Sequence, residues 1–261
     1  MSDRIIYNCC PLCDSSNHKE LFVADCSNYP NYDSRLSPQI IWLKCQDCDH
    51  IFTEGYYTDD AAKIIFSKIH ETQAVGANIE FNRIISAKMI EKILPFKSDG
   101  IWLDVGFGNG SLLFTAQEFG FEVIGLDLRK ENVNILNSLG IKASDKNIEE
   151  VNIEPKCSVI SMADVLEHMP FPREALRAAN RLLEVDGCLF LSMPNTDSII
   201  WKLMSDQQLN PYWAEMEHFH NFGRKRIFAL LKEFGFQPKR YSISERYKAC
   251  MEVVAIKSIS L

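Results

Sequence analysis

The chain has 261 residues, 46% of them apolar, 24% charged and 11% aromatic, with 28 basic against 35 acidic side chains for a net charge of −7. Such a composition excludes a disordered, collagenous or low-complexity chain, and the acidic balance argues against a general nucleic-acid binder, which neutralises phosphates with a basic excess. No apolar run approaches the ~18 residues of a membrane-spanning helix, and Met1 to Cys10 carry no secretion-signal core, so a cytoplasmic protein is expected, with no membrane partner.

Six of the nine cysteines lie in the first 48 residues. Cys10-Pro-Leu-Cys13 and Cys45-Gln-Asp-Cys48 form two CxxC turns separated by 31 residues. Each turn directs two thiolates at one point, and two turns complete a tetrahedral four-sulfur site. In a reducing compartment this spacing predicts a structural Zn²⁺ held by Cys10, Cys13, Cys45 and Cys48. The spacer exceeds the ~15–20 residues of a compact zinc ribbon, so it should carry strands or a loop of its own. Cys9, Cys26, His18 and His50 are lesser candidates for the same ion. Cys157, Cys188 and Cys250 stand alone in apolar stretches and read as small core hydrophobes. Residues 1–60 hold four basic and ten acidic side chains, which suits a structural or docking module better than one that reads nucleic acid.

Thr58-Asp-Asp-Ala-Ala reads as a helix start. Residues 77–94 then place Phe81, Ile84, Ile85, Met89 and Ile93 at helical spacing before Pro95. From Gly100 strands and helices alternate. Strands are predicted at Ile101–Val105, Glu122–Leu126, Ser158–Met162 and Cys188–Met193. Helices are predicted over Ser111–Phe119, Glu131–Leu139 and Arg173–Leu183. A helix over 224–234 and a closing hairpin, Gln237–Ser244 with Cys250–Lys257, complete the series. Alternation of this kind predicts a parallel sheet covered on both faces. Three regions follow: a zinc-binding module over 1–60, a helical linker or lid over 61–98, and a catalytic domain over 99–261.

The turn Leu103-Asp104-Val105-Gly106-Phe107-Gly108-Asn109-Gly110 follows the first of these strands. Its spacing is GxGxG rather than the GxGxxG of dinucleotide sites, and an aspartate lies two residues before the first glycine. A pyrophosphate wants bare amide donors there. A ligand bearing an ammonium and a sulfonium welcomes a carboxylate, and S-adenosylmethionine (SAM) is such a ligand. Seventeen residues beyond Gly110, strand two ends in Gly125-Leu126-Asp127, whose carboxylate is placed to bind ribose hydroxyls.

In these motifs the chain resembles the class I SAM-dependent methyltransferases over roughly residues 80–257. LDVGFGNG is similar to their first motif and VIGLDL to their second. ISMADVLEHM and LLEVDGCLFLSMPN resemble the signatures of their fourth and fifth strands. The resemblance implies an α/β, Rossmann-like, seven-stranded mostly parallel sheet with helices on both faces, carrying the small N-terminal module. It further implies that Asp104 with Gly106, Phe107, Gly108 and Gly110 holds the methionine portion of SAM and Asp127 the ribose. Leu128, Asn147 and Ile148 would border the adenine, with Ala163 and Asp164 beside the sulfonium. The paired CxxC turns ahead of such a domain resemble the sugar C-methyltransferases, whose Glu-His pair after strand five is a general base. Glu217-His218 stands in the comparable place, although those enzymes carry a further C-terminal domain for which this chain has no counterpart.

Methyl transfer from a sulfonium needs alignment of the acceptor and, for a hydroxyl or carbon acid, removal of one proton. Histidine suits that step because its unperturbed pKa lies near 6.5. The candidates are His218 with Glu217, then His220, and His168 beside Glu167. Asn210–Gly223 also concentrates Tyr212, Trp213, Phe219 and Phe222 as a wall for an acceptor, with Tyr56, Tyr57, His70 and Gln73 as further lining. Three functions are consistent with these residues. The first is a methyltransferase acting on oxygen or carbon of a small molecule, a sugar or related metabolite. The second is an RNA methyltransferase with a zinc recognition module, and the third a SAM-binding regulator without turnover. Acidity of the first module disfavours the second, and the histidine-rich loop the third. Acceptor identity and oligomeric state are not readable from the sequence.

Overall fold

A computed structural model describes residues 3–66 and 73–258. Five short strands, β1 (Arg4–Ile6), β2 (His18–Asp25), β3 (Gln39–Cys45), β4 (Ile51–Thr53) and β5 (Gly55–Tyr57), lead into helix α1 (Asp59–Phe66). There follow α2 (Ile79–Glu91), β6 (Ile101–Val105), α3 (Ser111–Glu118), β7 (Glu122–Leu126), α4 (Lys130–Ser138), β8 (Lys142–Ser144), β9 (Cys157–Ala163), α5 (Pro172–Leu182) and β10 (Leu183–Pro194). Helix α6 (Ile199–Asp206), β11 (His220–Asn221), α7 (Arg224–Glu233) and the hairpin strands β12 (Phe236–Ile243) and β13 (Cys250–Lys257) complete the described chain. The elements predicted after Gly100 are present, with β8 the third of the seven implied strands and α6 the helix after the fifth, and the two-residue strand β11 is additional. Strand β10 starts earlier than predicted because its pairing with β9 resumes across an irregularity between Leu183 and Cys188.

The residues gather into two compact units. One comprises Met1–Lys68, Leu166–Arg173 and Met193–Leu230, the other Ile69–Val165, Glu174–Ser192 and Leu231–Leu261. This grouping differs from the linear regions 1–60, 61–98 and 99–261. Segments 166–173 and 193–230 join the N-terminal unit because strand β11 pairs with β4, His220 opposite Phe52 and Asn221 opposite Ile51.

The second unit holds a seven-stranded sheet in the order β12-β13-β10-β9-β6-β7-β8. Strands β10, β9, β6, β7 and β8 run parallel, while β12 and β13 pair antiparallel. Every residue of β6 and β9 is buried, as expected of strands covered on both faces. Trp102, Leu113, Val159 and Phe190 form the centre of the core, joined by Met89, Ile90 and Ile93 from α2 and its end. Phe81 and Ile84, on the same predicted apolar face of α2, are instead exposed. After β6 the chain builds β7 and β8 on one side, then returns to add β9 and β10 on the other. The C-terminal end of β6 is therefore a topological switch point, where ligands bind in open α/β sheets.

The first unit pairs β11-β4-β3-β2 in one sheet and β1 with β5 in another. The spacer between the CxxC turns is thus a hairpin, β2 on β3, rather than a loop. The core of this unit gathers Ile40, Trp42, Ile65, Met216 and Phe219, and the Trp42 indole N–H donates to the Trp213 carbonyl at 2.8 Å. Small sheets with this little apolar burial need reinforcement.

One buried charge ties α2's end to the edge hairpin. Lys92 Nζ lies 2.5 Å from Glu252 and 2.7 Å from Glu245, and both Lys92 and Glu252 are buried. Removing one partner leaves the other charge buried and uncompensated. Lys92→Met should therefore lower unfolding free energy by about 3–5 kcal/mol in urea titrations, and Lys92→Met with Glu252→Leu should recover most of that loss.

Candidate functional site

In the second unit the site is built at the C-terminal ends of β6, β7 and β9. The Asp104 carboxylate is buried at the end of β6 and accepts from Ser161 Oγ at 2.6 Å. Ser161 in turn accepts from Trp102 Nε1 at 2.8 Å. Burial pushes the Asp104 carboxyl up to about 7, against the Ser161 hydrogen bond and the Arg246 guanidinium, which act to lower it.

The glycine turn then leaves the sheet through left-handed backbone, with φ +69 at Gly106, +55 at Gly108 and +77 at Gly110. At Gly106 a Cβ would also fall 2.6 Å from Val165 Cγ2. At Gly108 the nearest atom to an added Cβ is the Gly106 oxygen at 4.0 Å, so open space faces the middle of the turn. Strand β7 holds the turn in place. The Gly106 N–H donates to the Leu126 carbonyl at 2.7 Å and the Gly108 N–H to Asp127 Oδ2 at 3.0 Å. Phe107 packs where Gly125 lacks a side chain, since a Cβ there would sit 2.7 Å from its ring.

Asp127 also accepts from the Arg129 backbone N–H and from Arg129 Nε, both at 2.9 Å. Arg129 lies only two residues on, yet the sequence reading did not single it out. Ala163 ends β9 and is buried, and Asp164, at φ +60, accepts from Ser192 Oγ at 2.6 Å and pairs with Arg246 at 3.4 Å. Leu128 is exposed and Ile148 fully buried, while Asn147 closes a capping box with Glu150. The segment after residue 72 covers the turn. Asn132 Nδ2 donates to the carbonyls of Gln73 and Gly108 at 3.1 and 2.9 Å, and the Gly76 N–H donates to the Asn109 carbonyl at 3.0 Å. His70 lies outside the described residues.

The first unit carries the thiols and the histidines. One sulfur atom each from Cys10, Cys13, Cys45 and Cys48 lies within 4.8 Å of the other three. Cys10 and Cys48 stand 3.7 Å apart, Cys13 and Cys45 3.6 Å. Cys9, Cys26, His18 and His50 are not members of this cluster.

His218 is buried, with Nε2 2.7 Å from Glu215 Oε2. Burial acts to lower its pKa, but the Glu215 carboxylate, helped by Glu167 and Glu217, raises it to about 9. The Glu217 carboxylate faces Asn31 instead, accepting from its Nδ2 at 2.9 Å. Glu215, the orienting acid, stands three residues before His218, a spacing visible in the sequence. His168 lies edge-on to His218 with ring centroids 4.7 Å apart, and its Nδ1 donates to the Glu217 carbonyl at 2.9 Å. Burial, and then the His218 charge, lower the His168 pKa.

His220 is differently placed. Its Nδ1 meets His50 Nε2 at 3.1 Å and its Nε2 the Met169 carbonyl at 3.0 Å. Burial lowers its pKa to about 3. Of the aromatic residues expected to form a wall, Phe219 and Phe222 are buried in packing. Tyr212 stacks on Trp201 at 5.4 Å, and Trp213 meets Trp201 and Trp42 edge-on.

A family profile described as a methyltransferase domain matches residues 80–240. The chain belongs to that family. The ubiquinone biosynthesis O-methyltransferase of Haemophilus ducreyi is 30% identical over 115 residues, 38% of this chain and 49% of that protein. The chain thus spans about half the length of this curated relative. Among solved structures, the 1,6-didemethyltoxoflavin N1-methyltransferase of Burkholderia thailandensis, bound to its substrate and S-adenosylhomocysteine, aligns with TM-score 0.58 at 16% identity. That alignment covers 82% of this chain and 98% of the other. The magnesium protoporphyrin IX methyltransferase of Synechocystis PCC 6803, bound to S-adenosylhomocysteine, aligns with TM-score 0.53 at 16% identity, over 69% and 84% of the two chains. These likenesses confirm the fold.

The buried Asp104 makes stability depend on pH. Below about pH 4 the carboxyl is protonated both folded and unfolded. As pH rises toward 7 the unfolded chain loses the proton first, so stability falls, on the order of 1.4 kcal/mol per pH unit, and levels off above that point. Urea denaturation of wild type and Asp104→Asn should converge in acid and diverge toward neutral pH, with the variant the more stable.

Proposed function

We propose that the chain is a SAM-dependent methyltransferase acting on an oxygen or carbon of a small molecule, a sugar or related metabolite. The observation that carries this reading is the pair of carboxylates, Asp104 and Asp127, flanking a left-handed glycine turn with open space at its middle. Carboxyl groups on both sides of the turn suit a ligand that presents an ammonium and a vicinal diol, and they disfavour a pyrophosphate. When bound, SAM supplies an electrophilic methyl group on a sulfonium. Asp104 with Gly106, Phe107, Gly108 and Gly110 holds the methionine portion in this reading, and Asp127 the ribose, with Arg129 fixing the orientation of that carboxylate through its backbone N–H and Nε. Leu128, Asn147 and Ile148 border the adenine, and Ala163 and Asp164 lie beside the sulfonium. His218 in its neutral form, which gains population as pH rises toward about 9, removes the acceptor proton, with Glu215 orienting the ring and His168 bracing it. His220, with both ring nitrogens engaged, and Glu217, turned to Asn31, support the loop.

The four thiols fit a structural zinc. Zinc–sulfur bonds of ~2.3 Å in a tetrahedron set sulfurs ~3.8 Å apart, close to the 3.6 and 3.7 Å of the two pairs. Four protein ligands leave no open position, so this ion would hold the fold of the N-terminal unit rather than take part in transfer.

Calorimetry tests the cofactor assignment. Asp127→Ala should weaken SAM binding at least tenfold, since hydrogen bonds to a charged group are worth roughly 1.5–3 kcal/mol each, and unchanged affinity would overturn it. With labelled SAM and a panel of nucleotide-linked sugars, phenols and RNA, label should pass to a small molecule, and transfer to RNA alone would refute the acceptor class. His218→Ala should cut turnover roughly 10²–10⁴-fold while SAM affinity holds.

Elemental analysis of protein purified under reducing conditions should find one zinc per chain. Cys45→Ser should lose it together with the cooperative unfolding of the N-terminal unit, because site formation and folding are coupled.

A further inference from the structure

We infer that Glu167, His168 and His218 form a binding site for one divalent transition-metal ion, separate from the four-thiol cluster. One ligand atom from each of the three residues lies within 4.8 Å of the other two. Glu167 and His218 are buried. The backbone holds them together, since the Phe219 N–H donates to the Glu167 carbonyl at 2.8 Å.

The hydrogen bonds around both rings leave one nitrogen of each available as a ligand. A carbonyl can only accept, so His168 Nδ1 carries the proton given to Glu217, and Nε2 keeps its lone pair. His218 Nε2 donates to the Glu215 carboxylate, which leaves Nδ1. That Nδ1 is buried and has no hydrogen-bond partner. This is the arrangement of metal-binding histidines, in which the nitrogen remote from the metal donates to a carboxylate or a carbonyl and so fixes tautomer and ring orientation.

A cation would satisfy Nδ1, draw on His168 Nε2 and the Glu167 carboxylate at once, and offset the negative charge of Glu167 and Glu215. Two imidazoles and one carboxylate select ions such as Mn²⁺, Fe²⁺, Co²⁺ or Zn²⁺, and three protein ligands leave positions open for water or an oxygen ligand. With the ion bound His218 is a ligand, so its action as base belongs to the ion-free protein.

The test uses the full chain with its thiol cluster saturated with zinc, titrated with Mn²⁺ and followed by electron paramagnetic resonance. One Mn²⁺ per chain should bind, and electron spin-echo modulation of the wild-type complex should show two coupled imidazole nitrogens. Glu167→Gln and His218→Gln should each weaken binding at least tenfold. Glu215→Gln, which alters only the residue orienting His218, should weaken it 10–100-fold. Circular dichroism establishes that each variant is folded, and the wild-type spectrum decides the matter if one is not. No saturable Mn²⁺ uptake below about 1 mM, or a bound ion without histidine nitrogens, would overturn the site. Loss of turnover in His218→Ala with no ion bound would also overturn it while leaving the proton-transfer reading intact.

Discussion

The glycine turn after β6 is a conformation that the backbone does not hold unaided. Three residues at positive φ within five positions are tolerable only as glycines, and the flexibility that permits the turn would let it collapse. Strand β7 prevents this. The Leu126 carbonyl takes the Gly106 N–H and the Asp127 carboxylate takes the Gly108 N–H, so the two ends of neighbouring parallel strands fix the loop between them. Arg129 holds the Asp127 carboxylate in place for this, with Nε 2.9 Å from Oδ1. A ligand side of the turn stays open for the same reason: the hydrogen bonds that hold it come from the β7 side.

This explains why the second unit was largely legible in the sequence. Continuous apolar strands, glycine stops and the Asp104–Gly110 and Gly125–Asp127 spacings are local signals, and each fixes local geometry. The bounds of the short strand β8 were not legible because three residues give no period to read. The bounds of helix α6 were not legible because its apolar residues, Ile199, Ile200 and Leu203, remain exposed and so do not mark a buried stripe. Exposure of Phe81 and Ile84 on α2 is the converse error, an apolar pattern wider than the face that packs.

The first unit was less legible because its organisation is non-local. The CxxC pairs announced a four-sulfur cluster, and the sulfurs do converge, but nothing local predicts that β11 should pair with β4 across more than 160 residues of chain. The ADVLEHM stretch illustrates the difficulty. Asp164 belongs to the unit with the large sheet, hydrogen-bonded to Ser192, while Glu167 and His168 belong to the other, beside His218. One sequence motif thus serves two units.

The histidines show how little residue type decides by itself. His218 and His220 are two positions apart and both buried, yet their pKa values move in opposite directions, to about 9 and about 3. Burial lowers both. At His218 a carboxylate three residues back outweighs it, because an ionised partner at 2.7 Å favours the imidazolium. At His220 the partners are a neutral ring and a carbonyl, which satisfy both nitrogens without stabilising a charge enough to offset desolvation. The consequence for function follows from hydrogen-bond capacity. His220 has spent both nitrogens on packing and has nothing left to offer a substrate, a proton or an ion. His218 has spent one, on Glu215, while its Nδ1 has no hydrogen-bond partner. A search for the reactive histidine among His168, His218 and His220 is therefore a search for a ring with a nitrogen that has no hydrogen-bond partner.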